Sequence, residues 1–277
     1  MRALIALALV GCAPELGGDP AAVPEPRILA LQAHPAEARP GDPVTLTALV
    51  AIPPGQAPFE AALAWCVVAR SVAENRVASQ ACLVGEAAAL RPTDVEATLP
   101  AEGCALFGSE PPPARPGEVP RRPADPDATG GYYQPVWVAL ADGTTGVGRV
   151  RLRCALPGAP APVAMRFAAE AVPNENPVLT APPPEPAGEP GAWRLAADAS
   201  APETHLAYDV ATATLTRSTE RFEAQWYVSA GGLTATTTGT HFEALWRPGS
   251  GPARAWLVVR DGWGGVAWTV WEAPFSL

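Results

Sequence analysis

The stretch YYQPVWVALADGTTGVGRVRLRCAL, residues 132–156, decides how the chain is read. Two apolar runs, 132–140 and 147–156, flank Asp142-Gly143, a dipeptide favoured in tight hairpin turns because it tolerates positive φ. In the second run Val150, Leu152, Cys154 and Leu156 fall on one side of a pleated strand. Arg149, Arg151 and Arg153 fall on the other. A period of two with one charged face predicts a half-buried antiparallel strand.

The same texture extends both ways from this hairpin. Toward the N-terminus, Arg39-Pro40-Gly41-Asp42 reads as a turn before Val44, Leu46 and Ala48, which alternate with Thr45 and Thr47. An extended segment opens at Ile28, and Leu63, Trp65 and Val67 alternate further on. Residues 111–126 are too Pro-rich for a tight turn and read as an irregular loop. Toward the C-terminus, Phe222, Ala224, Trp226 and Val228 alternate, as do Phe242, Ala244 and Trp246. Residues 253–260 and 266–271 are joined by Asp261-Gly262-Trp263-Gly264-Gly265. No long helical period interrupts the pattern. With 34 Pro and 25 Gly acting as punctuation, the expectation is an all-β chain. Residues 27–172 and 173–277 form two β-sandwich domains, the second beginning with a Pro-rich linker that carries a short strand at Val178-Leu179.

This layout resembles tandem bacterial immunoglobulin-like or PKD-like sandwiches. The Pro-Gly-Asp before Val44-Thr45-Leu46-Thr47, the mid-domain Trp65 or Trp226, and the closing Val-Val-Arg-Asp-Gly-x-Gly-Gly hairpin carry the resemblance. The chain departs from antibody-type domains because Cys66 sits beside Trp65 and so points to the opposite sheet face.

At the N-terminus, Arg2 is followed by an unbroken apolar run, 3–10, too short to span a bilayer and suited to a secretory signal. Leu9-Val10-Gly11-Cys12 resembles the lipobox of bacterial lipoproteins. The resemblance implies removal of residues 1–11 and lipidation of Cys12. Ala13 after the cysteine implies sorting to the outer membrane, on its periplasmic or cell-surface face. Residues 12–26 then read as a flexible tether.

Export gives the other cysteines a meaning. Cys66, Cys82, Cys104 and Cys154 form an even set with three possible connectivities, of which Cys66–Cys82 and Cys104–Cys154 are favoured. The first would close a loop around Glu74-Asn75 and stabilise by ~3 kcal/mol in the chain-entropy picture. Metal binding is the rival, but there is no Cys-x-x-Cys and no nearby His.

Chemistry is sparse. All 19 basic residues are Arg, so lysine-dependent phosphate binding and Schiff-base catalysis are excluded. A net charge of −9 disfavours nucleic acid. His34, His205 and His241 are scattered, and no catalytic motif is present. Asp125-Pro126-Asp127-Ala128-Thr129-Gly130 matches the start of a calcium loop, but its twelfth position is Val136. A Pro/Asp turn explains Asp125 and Asp127 equally well. The Arg149, Arg151, Arg153 stripe reads as a solvated strand face, with lipid phosphate as the alternative partner. If Leu257, Val259, Val266, Trp268 and Val270 face the core, then Tyr227, Trp256 and Trp271 form an outward row beside Trp263 on the hairpin tip. That row is a candidate binding platform; packing against the first domain is the other reading.

The expected function is a non-enzymatic, membrane-anchored lipoprotein with an adhesion, envelope-structural or assembly role and no cofactor. A carbohydrate- or peptide-binding module using the aromatic row is the alternative, and a hydrolase with its site in the 105–131 loop is the third.

Overall fold

The computed structural model describes residues 19–69, 78–109, 131–156, 158–209 and 211–273. Cys12, Asp125 and Asp127 lie outside the described residues, as do the Glu74-Asn75 turn and most of the 105–131 loop. The protein is all-β, with 49% strand and 10% helix, and its sheets are antiparallel in the main.

The N-terminal half contains β1 (Arg27–His34), β2 (Glu37–Ala38), β3 (Pro43–Ala51), β4 (Ala61–Cys66), β5 (Leu90–Thr93), β6 (Glu96–Thr98), β7 (Tyr132–Leu140) and β8 (Thr145–Leu152). One sheet runs β1-β3-β6 and the other β2-β8-β7-β4-β5. The 132–156 stretch forms the expected hairpin, with Gly143 at φ +91° in its turn. Leu46, Trp65, Leu99, Val136, Val138 and Val150 are buried between the sheets. At ~1.5–3 kcal/mol for each large apolar side chain removed from water, such a cluster sustains a sandwich. Gly148 lets β8 approach β1, since a Cβ there would lie 2.4 Å from that of Leu31.

The C-terminal half contains β9 (Leu179–Thr180), β10 (Glu185–Pro186), β11 (Trp193–Ala199), β12 (Thr204–Asp209), β13 (Thr214–Thr219), β14 (Glu223–Val228), β15 (Gly232–Thr238), β16 (His241–Arg247), β17 (Ala253–Arg260) and β18 (Val266–Ala273). Its sheets run β10-β11-β16-β15 and β14-β17-β18, with β9 also on β11. Leu195, Phe242, Trp246, Leu257 and the stacked pair Trp226 and Trp271 fill the core between them. Hairpin β12–β13 stands apart as its own two-stranded sheet.

Three short α-helices, α1 (Gln80–Leu83), α2 (Gly103–Phe107) and α3 (Ala161–Glu170), and a 3₁₀ turn at Ala87–Ala89 complete the described structure. Disulfides Cys66–Cys82 and Cys104–Cys154 join the favoured partners, with Cα separations of 5.8 and 5.7 Å. Trp65 enters the core while Cys66 faces a separate cluster with Cys82 and Ala89, as their adjacency requires.

A third apolar cluster joins the halves. Leu29 and Ala30 of β1 and Leu49 and Ala51 of β3 meet Tyr227, Trp256, Val258 and Val266. A register irregularity between Ile28 and Ala30 leaves Leu29, Ala30 and Leu31 buried in succession, so β1 serves two clusters. Polar bonds reinforce the seam. Arg260 Nη2 donates to Leu29 O (2.9 Å), Arg254 Nη1 to Ile52 O (3.0 Å), and Gln32 Nε2 to Val266 O. Asn176 takes part from both ends, donating to Ala33 O and accepting from Val266 N.

Two expected spacers are therefore built in. Asn174, in the expected linker, is fully buried, donating from its side chain to Asp261 Oδ2 and from its backbone to Glu37 Oε2. In the expected tether, Ala22 bridges Val228 in parallel and Val23 is fully buried against the seam.

Candidate functional site

The expected aromatic platform is not a surface. Register pairs Tyr227 with Trp256 and Trp256 with Val270, so those three share one face of the β14-β17-β18 sheet. Tyr227 and Trp256 do lie side by side, but they are 8% and 2% exposed beneath β1 and β3. Packing against the N-terminal half is thus the role of these two. Trp271 pairs with Ala255 and lies on the opposite face, 5.4 Å from Trp226 within the core and 6% exposed. Val266 and Trp268 belong to the seam instead. The expectation had the parity of β18 reversed, because both of its faces carry apolar residues. Ala267, Trp271 and Ala273 are buried on one, while on the other Val266 is buried, Trp268 half-buried and Val270 exposed.

Trp263 behaves differently. The loop presenting it is organised by Asp261, whose Oδ1 accepts from Trp263 N (2.7 Å) and Gly265 N (3.0 Å). Gly264 adopts φ +112°, a conformation that side chains resist, and a Cβ there would crowd Arg151 Cβ at 2.9 Å. This loop sets the half-buried Trp263 ring between the two halves. It stacks on His205, centroids 4.6 Å apart at 30°, and the Arg151 guanidinium lies 4.4 Å from it.

Arg151 does not belong to a solvated stripe. It is buried, pairs with Glu37 (Nε to Oε2, 3.4 Å) and donates to Tyr133 Oη. Arg153 donates to Ala171 O, and Arg149, which is exposed, lies over the Tyr133 ring. For Arg151, burial at the seam excludes contact with lipid phosphate.

His205 was scattered in the sequence and is not scattered in space. Thr204 pairs with Thr219 across β12–β13, so Glu203 and Glu220 emerge opposite each other at the open end of the hairpin. Strand period two puts His205 on the same side. His205 Nε2 lies 2.8 Å from Glu220 Oε1 and 3.6 Å from Glu203 Oε2. Glu220 Oε2 accepts from Glu203 N (2.9 Å), and Glu203 Oε2 from Glu175 N (3.2 Å). One ligand atom from each of Glu203, His205 and Glu220 falls within 4.8 Å of the others, the only such group among the described residues. Burial pulls the His205 pKa down, but the Glu220 hydrogen bond and the charges of Glu220 and Glu203 outweigh it, and Arg151 opposes them; the net displacement is upward. Burial raises the Asp261 pKa against its hydrogen bonds from Asn174 and Trp263.

The spacing Glu203-x-His205 with Glu220 fifteen residues on becomes informative only once residues 204–219 are seen as a hairpin. Its turn lacks Asn-Gly or Asp-Gly, and Ala213 supplies the positive φ of 53° there. His241 makes a similar but exposed grouping, 2.8 Å from Asp198 and 3.6 Å from Glu243. Among the described residues no helix is long and apolar enough to cross a membrane. No protein-family model matches the chain, and no curated protein matches it.

Proposed function

We propose that the chain is a non-enzymatic lipoprotein, anchored through Cys12 to the outer membrane, in which two immunoglobulin-like sandwiches act as a rigid envelope-structural or assembly element. The strand order supports the sandwich assignment: β11-β16-β15 faces β14-β17-β18 as strands B-E-D face C-F-G in constant-type immunoglobulin domains. The observation that carries the functional reading is the docking of residues 21–23 on β14, where Val23 N donates to Val228 O and Val228 N to Ala21 O. Only six residues then separate Cys12 from Asp19, so the seven Cα steps between them reach at most ~25 Å. Such a leash suits a body held close to the bilayer better than a far-reaching adhesin. Fractionation tests it: wild type should partition with membranes and incorporate labelled palmitate, and Cys12→Ser should do neither. Wild type recovered in the soluble fraction with an unmodified Cys12 would remove the anchor.

A binding module is the second reading, carried by a different surface from the aromatic row. A cleft of about 360 Å³ is lined by Arg149, Arg260 and Tyr133, with no carboxylate in its lining. On a chain of net charge −9 it suits an acidic peptide segment. Saturable binding of a Glu-rich peptide, weakened by Arg149→Ala, would support this reading; absence of binding would discard it.

A further inference from the structure

We infer that Glu203, His205 and Glu220 form a binding site for a divalent transition-metal ion, with Zn²⁺ the best chemical match. Each residue offers one ligand atom, and all three atoms converge within 4.8 Å. In a tetrahedral zinc site with bonds near 2.0–2.1 Å, neighbouring ligand atoms lie ~3.3 Å apart. The observed separations of 2.8 and 3.6 Å bracket that value, so small side-chain adjustments admit the ion.

Charge points the same way. Among the described residues, the ion-pair contacts of Glu203 and Glu220 run to His205 alone. With His205 neutral, two carboxylates share one confined place; with it protonated, one negative charge remains. A dication resolves this better than a proton does. The supports are also in place before any ion arrives. Backbone N–H groups hold one oxygen of each carboxylate, and Trp263 stacks on the imidazole. Beside the site, a cleft lined by Arg217, Thr219, Glu220, Arg221, Asp261 and Trp263 reaches one of the three ligands, Glu220. An imidazole donor with only two carboxylates favours Zn²⁺ over Ca²⁺, which prefers six or more oxygens.

Because the ion needs the same Nε2 that a proton would occupy, binding strengthens as pH rises and His205 loses its proton. The groups facing that imidazole are Glu203 and Glu220 at the hairpin mouth, Arg151 from β8 and Trp263 from the β17–β18 loop.

The test uses the untagged full chain, purified in detergent and stripped with chelator. Calorimetric titration with Zn²⁺ at pH 7.5 should show one equivalent bound, and Co²⁺ should develop visible ligand-field bands. Glu203→Gln, at a partly exposed position, should weaken Zn²⁺ binding more than ~tenfold while the metal-free protein keeps the wild-type near- and far-UV circular dichroism. His241→Gln should bind as wild type does. Absence of saturable Zn²⁺ uptake would overturn the site. So would wild-type affinity in Glu203→Gln, loss of binding in His241→Gln, or an affinity that does not change between pH 5.5 and 8.

Discussion

The inner and outer faces of the β14-β17-β18 sheet are made of the same residue types and join different things. On the inner face Trp226, Leu257 and Trp271 pack against β11 and β16 to close the C-terminal core. On the outer face Tyr227, Trp256 and Val258 pack against β1 and β3 to close the seam. Leu257, Val258 and Val259 are all fully buried in succession, so β17 has no solvent face along that stretch. A strand covered on both sides loses the alternation that tells inside from outside. An aromatic surplus on such a strand marks a joint between bodies as readily as a ligand platform.

The largest effects should separate the two faces. Trp271→Ala should cost about 3–5 kcal/mol, felt as loss of the C-terminal core in denaturant melts. Trp256→Ala should cost a similar amount, but the loss should appear as uncoupling, with the two halves melting at different denaturant concentrations. Equal, single-step melts for both variants would break the distinction. Below these comes Asp261→Ala, which removes the acceptor for Trp263 N, Gly265 N and Asn174 Nδ2. Leaving these donors unpaired at a buried site should cost roughly 1–3 kcal/mol by equilibrium unfolding and loosen the seam.

The pH dependence sharpens the comparison further. The folded pKa of His205 lies above its ordinary value, so its contribution is fully present below about pH 6.5 and is lost as pH rises through the raised value. Burial raises Asp261 as well, with the same sign, but its contribution is lost from about pH 3.8 upward, a more acidic window than that of His205. In chelator, melting should therefore weaken from pH 6 to pH 8.5, and His205→Gln should flatten the dependence. The smallest effect belongs to His241→Gln. Its partners Asp198 and Glu243 are exposed with it, so stability should change by less than ~0.5 kcal/mol.

Much of the fold was legible. The 132–156 hairpin, both disulfides and the buried Trp65 follow from Asp-Gly punctuation, cysteine parity and alternation. What escaped has identifiable causes. Helix α3 is ten residues long with no buried side chain, so too few turns exist to reveal a period, and its Ala-rich propensity acts alone. The β12–β13 hairpin is rich in Thr on exposed positions, so it lacks an apolar stripe. The His205 grouping remained hidden with it. Asn174 and Asn176 looked like linker residues because a side chain that satisfies distant backbone groups leaves no local pattern.

Differential scanning calorimetry of the wild-type chain beside Trp256→Ala tests the seam most directly. The buried Tyr227 and Trp256 face predicts one cooperative transition for wild type and two resolved transitions for the variant. Two independent transitions in wild type, unchanged by Trp256→Ala, would contradict two halves joined at this seam.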